Sequence, residues 1–168
     1  MKTNLTLLVL ITIFSLGGCV GKESTTVVNA DGSKSTVTSN PSDGSVKIEG
    51  NGTSASIGGG TTVTEADLGI PFYPGSTEKP NASMKVDTPT EKSYMCTRTT
   101  ADEVSKVAEF YEGKVKGLKF NTFSANDTTT TMASMTQENG AKIAVSATRK
   151  KSESETTITL AYGLETKK

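Results

Sequence analysis

Histidine and tryptophan are absent from all 168 residues, and cysteine occurs only twice. The first absence removes the commonest general base and the commonest metal ligand together. Two isolated thiols, Cys19 and Cys96, make no zinc site without further ligands. Charge imbalance is missing too, since 18 Lys and Arg offset 18 Asp and Glu. Without a basic cluster the chain has no footprint for nucleic acid. Arg149, Lys150 and Lys151 are diluted at once by Glu153 and Glu155, which reads as a solvated hairpin tip. Gly58-Gly59-Gly60 is followed by no Lys-Ser/Thr pair, so it is not a phosphate loop. Aromatic residues are 5% of the chain, and residues 20–62 contain neither an aromatic nor a leucine. These absences point to a protein with no metal and no cofactor, and to a non-enzyme.

The one hydrophobic run, residues 5–16, is shorter than the roughly 20 apolar residues that cross a bilayer core. Lys2 precedes it, and Leu16-Gly17-Gly18-Cys19 closes it. A charged start, a short apolar middle and small residues at the end are the parts of a secretory signal. With its cysteine in that place, the segment resembles the lipobox of bacterial lipoproteins. The resemblance implies cleavage after residue 18, acyl chains on Cys19 and stable anchoring of an otherwise soluble body. Val20, rather than Asp, follows the cysteine, which by the same resemblance implies the outer membrane in a host that has two. Only Cys96 then remains as a free thiol. Between Met95 and Thr97 in a strand-like run, it reads as a small buried apolar residue.

After the signal the chain has two textures. Residues 19–62 are dominated by Ser, Thr, Gly, Asn and Asp, too little apolar surface to offset chain entropy in a compact fold. They read as a tether. Within it, residues 25–28, 35–38, 45–49 and 53–57 favour extended chain, and Asp31-Gly32, Asp43-Gly44 and Gly50-Asn51-Gly52 are hairpin punctuation. Lone hairpins are marginal in water, so such strands need a partner surface or further copies. Neither Asp-Gly pair has the alternating oxygen ligands of a calcium loop.

Residues 63–168 read as the folded domain. Leu68 to Gly75 packs apolar residues between Gly and Pro, and Pro74-Gly75 suits the centre of a type II turn. Phe72 and Tyr73 are a candidate binding lip; the reading preferred is a cover for one end of a core with few large residues. Residues 83–88 and 93–99 alternate as strands. Thr100-Ala101-Asp102-Glu103 has the form of a capping box, and Val104, Val107, Ala108, Tyr111 and Val115 recur at helical spacing. Residues 118–123, 130–137, 141–148 and 156–164 complete the strands, with Asn139-Gly140 as a hairpin signal. The expected fold is α+β: one amphipathic helix on a mostly antiparallel sheet of about five or six strands, preceded by a low-complexity arm. This order resembles small domains of bacterial envelope proteins in which a Leu-Gly-x-Pro-x-Tyr-Pro-Gly entry precedes a helix bearing Phe-Tyr, here Phe110-Tyr111. That resemblance implies no activity.

Ser76 and Lys79 match the Ser-x-x-Lys spacing of penicillin-binding hydrolases, where the amine activates the hydroxyl from the next helical turn. The companion Ser-Asp-Asn and Lys-Thr-Gly elements are absent, and Pro80 discourages helix. The function these features favour is a membrane-anchored envelope lipoprotein acting as a non-enzymatic binding or assembly module for a protein or glycan. Self-association through the β-prone arm and a small Ser76/Lys79 hydrolase are the alternatives.

Overall fold

The computed structural model describes residues 21–28 and 32–165. The signal segment and Cys19 lie outside the described residues. Ten strands form one sheet: β1 (Glu23–Val28), β2 (Lys34–Asn40), β3 (Ser45–Gly50), β4 (Thr53–Ile57), β5 (Thr77–Asp87), β6 (Glu91–Thr100), β7 (Asn121–Ala125), β8 (Thr128–Thr136), β9 (Lys142–Lys150) and β10 (Thr156–Glu165). Two short helices, α1 (Glu65–Leu68) and α2 (Val104–Lys114), interrupt them. The spatial order is β1-β2-β3-β4-β5-β6-β10-β9-β8-β7. Every pairing is antiparallel.

This corrects the expected fold. The sheet has ten strands rather than five or six, and the supposed arm supplies four of them. Its four β-prone stretches form near the expected positions, but as part of the sheet. The reason is backbone hydrogen bonding. β5 would otherwise present an open row of amides and carbonyls, and β4 fills it with Ser54–Ile57 lying against Asp87–Met84. Apolar content judged in isolation missed that partner surface. Beyond β4, the Gly58-Gly59 turn packs on Asp43 and Gly44 of the β2–β3 turn, and the Gly58 amide donates to the Ser83 carbonyl at 3.0 Å.

Chain topology explains the strand order. The first six strands meander in sequence; α2 then carries the chain over one face to β7 at the far edge, and the next three strands meander back until β10 meets β6. The helix packs on β8 and β9. Its start also differs from expectation. Thr100 ends β6 and its hydroxyl accepts from the Asp102 amide at 3.3 Å, while α2 begins at Val104 with no side-chain cap. The capping box belongs instead to α1, where Thr64 and Asp67 satisfy each other's amides. The entry turn forms as expected, with Gly75 at φ 70° and the Ser76 amide donating to Tyr73 at 3.1 Å.

Side chains alternate between the two faces of each strand. On the face under α2, Tyr94, Cys96, Ala133, Ile143, Val145, Ala147, Ile158 and Leu160 meet Val104, Val107, Tyr111 and Leu118 in a buried core. Leu68, Ile70 and Tyr73 seal it from the entry segment.

The four-strand extension should therefore be sensitive at its glycine contact. Alanine at Gly59 would drive a methyl group into the Asp43 carbonyl oxygen. Gly59→Ala is expected to lower unfolding stability by about 1–3 kcal/mol. Gly113, exposed on α2 with open space around it, gives the opposite sign: Gly113→Ala should raise stability by about 0.5–1 kcal/mol. Denaturant unfolding of both variants checks the pair.

Candidate functional site

On the covered face the sequence candidates are occupied by structural contacts. Tyr73 is buried, its hydroxyl donates to Asp102 at 2.9 Å, and its ring meets Phe110 edge-on at 5.2 Å. Burial and the Asp102 carboxylate push its phenol up to about 12. Phe72 is half-buried and lies under the Arg98 guanidinium, 4.1 Å from ring centroid to Cζ. The lip residues thus close the core over β6 and clamp one cation.

Ser76 and Lys79 are not brought into an activating geometry. The Ser76 hydroxyl donates to the Tyr73 carbonyl at 2.6 Å and accepts from Arg98 Nε at 2.8 Å. Lys79 lies on β5, so the helical turn required to face the two groups is not formed. Cys96 is 1% exposed and burial pushes its thiol up to about 11, which leaves it protonated and inert at neutral pH. Tyr111 is fully buried, and its hydroxyl has no hydrogen-bond partner among the described residues. A cleft of about 460 Å³ opens at the start of α2 beside Thr122, Thr129 and Arg149. Several of its polar groups are already engaged: Thr122 with Thr131 at 2.9 Å, Thr129 with Ser124 at 3.0 Å, and Arg149 with Glu103 at 3.3 Å. Among the described residues no cluster of three or more candidate metal ligands occurs.

The other face of the sheet is different. Both helices pack on the core side, and on the opposite side no residue of the ten strands is fully buried. Register places two adjoining rows across it. One runs Val37, Ile48, Ala55, Val86, Ser93 and Gly163. The next runs Val46, Ile57, Met84, Met95, Ala161 and Ala144, apolar at every position over six strands. Ile57 is 47% exposed and Met132, one row further on β8, 46%. A hollow of about 360 Å³ lies over the small residues Ser134, Ala144, Ser146 and Ala161. Sequence reading missed this face. Its signal was the alternation of β-branched and small polar residues in residues 35–57, legible as strands but not as one side of a larger sheet.

Comparisons with protein-family models, with curated proteins and with solved structures find no match for this chain. The open face is a feature that the contacts described above leave unused. Register sets its apolar side chains side by side on neighbouring strands, which scattered surface residues are not.

The tie between the entry segment and the sheet is electrostatic, and it has a pH signature. Asp67 Oδ1 accepts from Lys85 Nζ at 2.7 Å. Burial pushes the Asp67 carboxyl up, but bonds from Lys85 and Thr64 outweigh it and hold the group below its ordinary value. A lowered pKa stabilises the fold above the unfolded value, about 4, and that contribution is lost as pH falls through the folded one. Asp67→Asn should therefore be less stable than the wild type at pH 7, with the difference shrinking below about pH 4. Melting temperatures across that range check the sign.

Proposed function

We propose that this chain is a lipid-anchored envelope protein whose sheet is a non-enzymatic assembly module, docking the apolar surface of a protein partner on its open face. The anchor rests on Leu16-Gly17-Gly18-Cys19 with Lys2 and the apolar run before it. Acyl chains on Cys19 would hold the body at the membrane, the outer one where the host has two, as Val20 suggests. The docking part is carried by one observation: the row from Val46 to Ala144 is apolar across six strands, and nothing among the described residues covers it. Burying such a surface releases water at about 25 cal/mol per Å². Phe123 is the one aromatic residue on this side among the described residues, so the face offers little on which a sugar ring stacks. A protein surface fits it better than a glycan, and nothing about its charge fits nucleic acid. No catalytic residue and no cofactor enters this reading.

The deciding experiment places a photo-crosslinking residue at Ile57 on the open face or at Lys106 on α2, in cells. Adducts to protein from Ile57 and none from Lys106 are expected. Equal labelling from both positions, or none from Ile57, overturns the docking reading. Cys19→Ala should abolish incorporation of labelled palmitate, and retained labelling overturns the anchor.

A further inference from the structure

Resting on that docking reading, we propose that the partner on the open face is a second copy of this chain, packed face to face about a two-fold axis that runs along the strands over β6. Side-chain sizes on the two sides of β6 are complementary. β6 is the middle of seven strands: β5, β4 and β3 lie to one side of it and β10, β9 and β8 to the other. An axis parallel to the strands lays β5 of one copy on β10 of the other, β4 on β9 and β3 on β8, each at the same height along the strand. Along the apolar row and at Val86 those positions pair a large side chain with a small one, while further out in the neighbouring row Ala55 meets Lys142 and Ile48 meets Thr136. Val86 meets Gly163, Met84 meets Ala161, Ile57 meets Ala144 and Val46 meets Ser134, with Met95 on the axis against its own counterpart. The hollow over Ser134, Ala144, Ser146 and Ala161 is then the socket for the ridge of Val46, Ile57 and Met84. Facing sheets fill the space of about 10 Å between them by this interdigitation. A surface that carries both ridge and socket is self-complementary, as an isologous interface requires.

Area sets the strength. Seven strands at about 4.8 Å and the two rows they all share at about 6.8 Å give a flat footprint of roughly 460 Å² per copy. Side-chain relief raises the accessible area above the footprint, but it stays below the roughly 800 Å² per partner of standard interfaces, the size of a weak contact that confinement by an anchor would favour. Glu91 and Glu165 lie one row beyond Ser93 and Gly163, at the rim, and Lys142 stands exposed beside Gly163 in the outer of the two rows. The anchor agrees as well. Three residues separate Cys19 from Glu23, where β1 begins, so four residue steps give a reach of at most about 14 Å. An axis along the strands puts the start of β1 at the same end of both copies, so both lipids enter one membrane with the dimer standing on it.

The test uses the full lipidated chain in native membranes with a short bismaleimide linker. Met95→Cys should give a crosslinked species of twice the mass, and the wild type, whose Cys96 is buried, should not. Met84→Cys and Ala161→Cys should link at least ten times more when the two variants are co-expressed than when either is alone. Filling the socket with Ala161→Met should weaken association about tenfold, and Met84→Ala added to it should restore the dimer. These residues lie on an uncovered face, and unchanged melting temperatures establish that each variant folds. Monomeric Met95→Cys, together with an Ile57 adduct to a different protein, overturns the second copy and leaves the docking reading standing. No protein adduct at Ile57, whether the face proves bare or seated on lipid, overturns both.

Discussion

The pairing of β6 with β10 is the constraint on which the rest of the structure depends. Ten residues of each strand pair without a break, Thr100 to Glu91 against Thr156 to Glu165. This seam joins the six-strand meander that enters in sequence order to the four-strand meander that returns from the far edge. It closes a loop of some sixty residues, which costs chain entropy before any contact is made. Large side chains offset that cost on the covered face. Cys96 lies against Leu160 and Arg98 against Ile158, and Tyr94 stacks on Tyr162 with centroids 5.6 Å apart. Thr156 Oγ1 donates to the Asp102 carbonyl at 2.5 Å, and Arg149 donates to the Ala101 carbonyl at 3.0 Å. The seam therefore also fixes the loop from which α2 departs.

The same seam sets the centre of the open face, because its alternate residues, Met95, Thr97, Thr159 and Ala161, point away from the helix. Across the sheet the large residues change sides. From β6 through β8 they lie under α2, where Tyr111, Val107 and Leu118 cover them. From β2 to β5 they lie on the open side, while Thr38, Lys47 and Ser56 occupy the helix side. A strand rich in small polar residues still adds a full row of backbone hydrogen bonds, and its few apolar groups gather on one face through register. That is how residues 23–57 join a sheet with so little apolar surface of their own.

Much of this was legible one strand at a time. The alternation of Ile143, Val145 and Ala147, the Asn139-Gly140 turn and the stripe from Val104 to Val115 locate β9, its hairpin and α2 without any structure. The four β-prone stretches of the first half were legible too, as was the Pro74-Gly75 turn. What the sequence withheld was membership. Whether β4 pairs with β5 depends on a free edge that exists only after β5 and β6 have paired, and no local pattern encodes that. The capping box misled for a related reason. Thr100 is held in β6 by Thr156, so helix formation waits until Val104, and the same motif with Asp in place of Glu operates at Thr64, where no strand competes. The open face was hidden because its residues are scattered over seven strands and meet only through register.

A two-dimensional setting changes what such a face needs to achieve. In dilute solution, association must overcome several kcal/mol of lost translational and rotational freedom, and a corrugated face with a few large side chains recovers only part of that. On the reading proposed above, a lipid on Cys19 would confine the chain to a layer, so that the encounter would approach an intramolecular one with its correspondingly high effective concentration. Under that proposal the surface could stay weak enough to keep an unanchored chain dispersed. Isoleucine and methionine set among threonine, serine and alanine suit that compromise better than a wholly apolar face, which would aggregate before the anchor was attached. In the proposed assembly, lipidation and the mixed character of the open face would be two parts of one arrangement, with association favoured only where an anchor concentrates the chain.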